Sequence, residues 1–178
     1  TPEDRLTVLP QETATRDNIQ AALQKLVDDA QPGETGIFYY AGHGFATENR
    51  QPPAGAVYEK YDPEDDGLDE CLVAVDATKP DSPDFAEKVV RDDFFEAVLE
   101  KAVKKVRPGG DGPGSVIFLF DSCHSGTISR SAKALGKVER TNLKYRSAPN
   151  PPKQNNPAIL EASRHGAGSK GWVVLSAC

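Results

Sequence analysis

The sequence predicts an α/β fold built on a mostly parallel sheet. Two apolar runs without alternation, 36–41 and 116–120, are typical of strands that are buried on both faces of such a sheet. Two longer segments with apolar residues at helical spacing precede and separate these runs. This order of helices and strands predicts helices on both faces of the sheet.

The first half of the chain divides into four predicted elements. A helix begins after Thr15, whose side chain can cap it, and ends at a Pro-Gly pair. The strand over 36–41 follows. Residues 46–70 are predicted to form a long acidic loop, and 71–75 a short apolar strand.

The second half contains the other long strand and its neighbours. Asp92 or Asp93 can cap the helix that precedes this strand. Residues 127–170 are polar and rich in Pro and Asn near 149–157, so we expect a mobile loop with a short helix near 157–163. A last strand is predicted over 172–176.

Composition excludes several function classes. The net charge of −6 leaves no electrostatic footprint for nucleic-acid binding. No apolar run reaches the roughly 18 residues that a membrane span requires. Three cysteines, Cys71, Cys123 and Cys178, form an odd and sparse set, which predicts a reducing, cytoplasmic location and argues against a disulfide framework.

Each long strand ends in residues that are suited to catalysis. The first delivers His43 between Gly42 and Gly44, which permit unusual backbone angles and close approach of a substrate. The second delivers Cys123, two positions after Asp121. Because chemistry in open α/β sheets lies at the carboxyl ends of the strands, we expect a Cys nucleophile assisted by a histidine.

Two motifs carry a resemblance to a known family. Tyr40-Ala41-Gly42-His43-Gly44 and Asp121-Ser122-Cys123-His124-Ser125-Gly126 resemble the catalytic motifs of the metacaspases, within the caspase-like cysteine peptidases. Segments 14–19, 66–76 and 173–178 are similar to supporting stretches of that family. The resemblance implies a caspase-like three-layer α/β/α sandwich with a mostly parallel central sheet. It also implies that 1–178 is one catalytic domain, whose first core strand precedes residue 1 and whose smaller C-terminal part follows residue 178.

The resemblance implies a cysteine endopeptidase that cleaves protein or peptide substrates after Arg or Lys and forms an acyl-enzyme. Cys123 is then the nucleophile and His43 the proton shuttle. The backbone N–H groups of Gly44 and Cys123 would form the oxyanion site. Asp121 would line the S1 pocket, and its alternative is a turn or cap residue. His124 competes with His43 for the role of base, although an extended backbone would direct it away from the nucleophile.

The acidic patch over 62–70 raises the question of calcium. An EF-hand is rejected, because its twelfth position lacks the bidentate glutamate. By resemblance, Asp69 and Asp92 match two positions of the metacaspase calcium site, whereas Arg91 and Arg130 stand where two more acids are expected. We therefore expect that no cofactor is required, with Ca²⁺ as a candidate activator of modest effect.

Three other functions stay open: a caspase-fold regulatory or scaffold protein with restricted or lost protease activity, an acidic calcium-binding module, and a thiol hydrolase that acts on a non-peptide ester. The sequence does not predict the oligomeric state. Within 127–170, basic residues just beyond the nucleophile predict either self-processing or a solvated basic loop; they are Arg130, Lys133, Lys137, Arg140, Lys144 and Arg146.

Overall fold

The computed structural model describes residues 3–51, 67–110, 112–122, 140–144, 159–163 and 171–177. Within these ranges the chain forms two α-helices and eight strands. In chain order they are α1 (Arg16–Asp29), β1 (Thr35–Ala41), β2 (Gly44–Glu48), β3 (Leu68–Val73), β4 (Val89–Arg91), α2 (Asp92–Val106), β5 (Ser115–Asp121), β6 (Arg140–Lys144), β7 (Ile159–Ser163) and β8 (Trp172–Ala177). Cys123, His124 and Arg130 lie outside the described residues.

The strands form two separate sheets. The larger has the order β1-β5-β8-β7-β6, in which β5 runs parallel to both β1 and β8. The strand β7 is antiparallel to β8, and β6 is antiparallel to β7. The smaller sheet is antiparallel, with the order β2-β3-β4. The predicted α/β class with a parallel centre is confirmed.

One face of the larger sheet carries the core. Val116, Phe118 and Phe120 of β5 are buried on this face together with residues from both helices. Phe38 of β1 joins them, with its ring centroid 5.7 Å from that of Phe118 and 5.9 Å from that of Phe95 in α2. Both helices therefore pack on the same side of the sheet.

The opposite face is open in the described part of the chain. Ile37 and Tyr39 of β1 are 57% and 61% exposed, and Ile117 and Leu119 of β5 are half-buried. The expectation that the apolar runs are buried on both faces is therefore wrong for these residues, because no described element covers this side. A helical layer there stays a prediction.

Both predicted helices are present, and the predicted cap is confirmed for the first helix only. The side chain of Thr15 caps α1 by accepting a hydrogen bond from the Asn18 N–H at 3.3 Å, as predicted. The second helix begins at Asp92 itself, and Arg91 occupies the cap position without a side-chain capping bond. The expected cap at Asp92 or Asp93 is therefore wrong, although acids in the first turn still favour the helix dipole.

Two predicted loops, 46–70 and 127–170, contain strands instead. The loop expected over 46–70 includes most of β2 and the start of β3, and the strand expected over 71–75 belongs to the smaller sheet. The helix expected near 157–163 is wrong, since β7 covers Ile159–Ser163 and pairs with β6. Such pairing joins residues that are distant in sequence, so no local pattern reveals it. The mobility expected of 127–170 stays a prediction.

No helix in the described part of the chain combines the length and the apolar character that crossing a membrane would require.

Candidate active site

The two motif-bearing strands end side by side. Ala41 at the end of β1 pairs with Asp121 at the end of β5, and the strands are parallel. Just beyond this pair, the N–H of Gly42 donates a hydrogen bond to the carbonyl of Asp121 at 3.1 Å. His43 therefore follows β1 at the same sheet edge where the chain leaves β5 toward Cys123, which lies outside the described residues.

The backbone of His43 is held by hydrogen bonds, while its side chain is exposed. Its carbonyl accepts a bond from the N–H of Val73 at 2.9 Å and another from the hydroxyl of Tyr40 at 2.9 Å. The same hydroxyl lies 3.0 Å from the Val73 carbonyl. The loop that presents the imidazole is thus tied both to its own strand and to β3.

Tyr40 is a site residue whose role the sequence did not reveal. Strand alternation places it on the same side as Phe38, packed against the core. A tyrosine in such a place usually finds a hydrogen-bond partner for its hydroxyl. That rule predicts a partner for Tyr40 but does not identify it.

Gly42 is required by close packing. A Cβ at this position would lie 2.5 Å from the Tyr40 hydroxyl oxygen and 2.8 Å from its Cζ. Neither Gly42 nor Gly44 has a positive φ, so the expected unusual backbone angles are not found. Gly44 is buried and begins β2, where it pairs with Leu72 of β3. Its role as an oxyanion donor stays a prediction.

The residues before the predicted nucleophile alternate in exposure. Asp121 is exposed, whereas Ser122 is 4% exposed. Its burial leaves the Ser122 side chain little access to a substrate. The exposure of Asp121 means that an S1 pocket around its carboxylate needs walls from outside the described residues.

Cys71 is unsuited to nucleophilic chemistry. Its thiol is fully buried in β3 and donates a hydrogen bond to the Phe45 carbonyl at 3.2 Å. Burial raises the pKa of this thiol to about 12, and the nearby charge of Asp92 adds to the rise. Because the thiolate is the reactive form, Cys71 stays inert near neutral pH.

A cavity of about 230 Å³ lies beside His43 and has mainly apolar walls. The connection between β3 and β4 forms one wall. Within this connection, Asp84 Oδ1 accepts hydrogen bonds from the hydroxyls of Ser82 and Thr78. These two bonds lower the pKa of the Asp84 carboxyl. The cavity can accept an apolar group next to the histidine. Its lining residues are His43, Gly44, Phe45, Val73, Thr78, Pro80 and Phe85.

The two expected calcium ligands, Asp69 and Asp92, are both buried, and their carboxylates contact different groups. Asp69 is 1% exposed, and its Oδ2 lies 3.2 Å from Nη1 of Arg91. Burial raises the pKa of Asp69, and the positive charge of Arg91 opposes that rise. Asp92 accepts a hydrogen bond from the N–H of Asp93 at 3.0 Å.

The described residues do not fit a calcium site. Ca²⁺ takes six to eight oxygen ligands, and among the residues described here no group of three or more His, Cys, Asp or Glu side chains is arranged to hold a metal ion. Two oxygens in this region already accept hydrogen bonds from the Arg91 guanidinium. They are Oδ2 of Asp69 and the carbonyl oxygen of Arg50, which lies 3.0 Å from Arg91 Nη1.

Comparison with known proteins gives a consistent family. The family described as metacaspase, peptidase C14 domain, matches residues 2–131. Metacaspase-1 of Lodderomyces elongisporus is 39% identical over 114 residues, which are 64% of this chain and 21% of that protein. Metacaspase-2 of Trypanosoma brucei brucei is 34% identical over 114 residues, 64% of this chain and 26% of that protein. The chain therefore spans about a quarter or less of the length of these relatives.

A solved structure of a Geobacter sulfurreducens protein aligns with 75% of this chain and 39% of that chain, with 25% identity and a TM-score of 0.43. The family match does not depend on this alignment.

Proposed function

Since the chain belongs to the metacaspase family of peptidase C14 domains, we propose that it carries the active site of a cysteine endopeptidase that cleaves after Arg or Lys. One observation carries the proposal. The N–H of Gly42 bonds to the carbonyl of Asp121, so the histidine motif and the strand that leads to Cys123 share one sheet edge. Ala41 and Asp121, the strand ends that precede His43 and Cys123, are thereby neighbours although they are 80 positions apart in the sequence.

In the proposed reaction the thiolate of Cys123 attacks the scissile carbonyl carbon. The oxyanion that develops accepts hydrogen bonds from the backbone N–H groups of Gly44 and Cys123. His43 gives a proton to the leaving amine as the C–N bond breaks, and a thioester remains. Water then attacks the thioester carbon and gives a proton to His43. The C–S bond breaks, the acid product leaves, and the Cys123 thiolate and protonated His43 are restored.

The proposal assigns the protein to a reducing, cytoplasmic location. The free thiol of Cys71, buried in β3, is compatible with such a location.

Peptide reporters with Arg, Lys, Asp or Leu at P1 test the chemistry. We expect Cys123→Ala to lose at least about a thousandfold in kcat/KM, with His43→Ala close to it. His124→Ala should keep far more activity than His43→Ala. The matched control is Cys71→Ala, which removes a buried thiol and should leave kcat/KM within a few-fold. Substantial turnover by Cys123→Ala, or a larger loss in His124→Ala than in His43→Ala, contradicts the assignment.

Asp121 is the proposed selector of the basic P1 side chain. A charge-assisted hydrogen bond to a guanidinium is worth about 1.5–3 kcal/mol, and exposure of the carboxylate reduces this value. We therefore expect Asp121→Asn to lower kcat/KM on Arg reporters about tenfold, with little change on the Leu reporter. Asp17→Asn removes an exposed charge from α1 and serves as the control. An equal loss on every reporter would mean that Asp121 supports the fold or Cys123 and does not select substrate.

A further inference from the structure

The first turns of α2 and the start of β3 contain an excess of buried acids. Five acidic side chains are buried there: Asp69, Glu70, Asp92, Asp93 and Glu96. Among the residues that the structure describes, Arg91 is the one basic side chain that is buried, at 8% exposure. Because a buried negative charge is costly unless it is compensated, the Asp69 carboxylate, at 1% exposure, favours a cation beside it.

Arg91 supplies this cation with a specific geometry. As the last residue of β4, it pairs with Cys71, so its side chain lies next to Asp69, two positions earlier on β3. Its Nη1 donates to Asp69 Oδ2 at 3.2 Å and to the Arg50 carbonyl at 3.0 Å. The guanidinium therefore connects the two ends of the segment that joins β2 to β3.

A carboxylate and a backbone carbonyl are also the ligand types that calcium takes. We propose that the Arg91 guanidinium is the resident cation of this region. It holds Asp69 and the Arg50 carbonyl in place of a divalent ion, so the fold is complete without calcium. The inference concerns folding and ion binding, and it stands whether or not the chain is a peptidase.

Thermal unfolding of the full chain, followed by circular dichroism in chelator and in millimolar CaCl₂, tests the inference. The wild type should melt at the same temperature in both solutions. Arg91→Gln removes the charge and should lower the melting temperature by roughly 10 °C in chelator. Calcium should then raise the melting temperature of this variant by at least about 2–4 °C, because the substitution releases the Asp69 carboxylate and the Arg50 carbonyl, two oxygens of the type that calcium takes. If Arg91→Gln is unfolded in chelator, it should fold when calcium is added.

Three further variants separate a resident cation from a merely stabilising side chain. Arg91→Lys keeps the charge and should remain insensitive to calcium. Asp69→Asn combined with Arg91→Gln should lose the calcium response. Arg107→Gln, which removes a guanidinium that donates to the Gly114 carbonyl at 2.6 Å, should lower stability without gaining a response to calcium.

Two outcomes would overturn the inference. One is a wild type whose melting temperature rises by several degrees in calcium. The other is an Arg91→Gln protein that gains neither stability nor folding at any calcium concentration.

Discussion

At the scale of single residues, Tyr40 is the side chain with the clearest structural link to His43. Its hydroxyl lies within hydrogen-bond distance of the carbonyls of His43 and Val73, at 2.9 and 3.0 Å. It therefore fixes the backbone from which the imidazole projects. Small displacements of a catalytic group can cost a large factor in rate, so under the proposed function Tyr40 is a positioning residue for His43.

Tyr40→Phe tests this role, because it keeps the packed ring and removes the hydroxyl. We expect a loss of about 0.5–1.5 kcal/mol in stability and a fall of about tenfold in kcat, with KM nearly unchanged. The matched control is Tyr39→Phe, which removes a hydroxyl that is exposed on the opposite face of β1. Steady-state kinetics and denaturant unfolding of both variants measure the effects. A Tyr40→Phe enzyme with wild-type kcat would show that the hydroxyl does not position His43.

At this scale the sequence identifies candidates for the reactive groups, and their roles stay a prediction. His43 between glycines and Cys123 after a strand stand out by residue type and place. The contacts that support the fold around them do not stand out in the sequence. The Tyr40 hydroxyl lies near the Val73 carbonyl, and Arg91 donates to the Arg50 carbonyl, across long stretches of chain. The sequence shows that an arginine, Arg91, stands where the resemblance expects an acid. Its hydrogen bond to a backbone carbonyl is seen only in the folded structure.

At the scale of elements, local signals predicted the parts with strong periodicity. The helix after Thr15 and the two long apolar strands were foreseen because each pattern is complete within one segment. The strand β2 was not foreseen, since Gly44–Glu48 is short and its pairing partner begins at Leu68. The side chain of Phe45 in β2 packs near Phe85, with ring centroids 5.2 Å apart. Phe85 lies in the connection between β3 and β4, so this contact also joins residues that are distant in sequence.

The smaller sheet gives the site its second support. The larger sheet alone fixes where β1 and β5 end, but the Val73 N–H that binds the His43 carbonyl comes from β3. The strand β3 is in turn paired with β4, where Arg91 holds Asp69. The histidine loop and Asp69 are therefore held by one antiparallel unit, whose strand pairing a local interpretation of 46–70 as loop did not predict.

At the scale of the whole molecule, the described core is one-sided. Val116, Phe118 and Phe120 are buried against the helices, whereas Ile37 and Tyr39 on the other face are more than half exposed. The uninterrupted apolar runs therefore predicted the central sheet correctly. They did not predict which face of that sheet is buried in the described part of the chain. An open apolar face of this kind has a measurable consequence for the chain in solution.

We expect the chain to bind a hydrophobic dye such as ANS in its native state, through the face that carries Ile37 and Tyr39. The double variant Ile37→Ser/Tyr39→Ser should bind clearly less dye. Its stability should change by at most about 0.5 kcal/mol per site, because both side chains are already exposed. Phe118→Ala is the contrasting variant from the buried face: a loss of about 3–5 kcal/mol is expected, with more dye bound as packing loosens. Dye fluorescence and denaturant unfolding of the three proteins measure both effects. Equal dye binding by the wild type and the double serine variant would mean that this face is covered in solution.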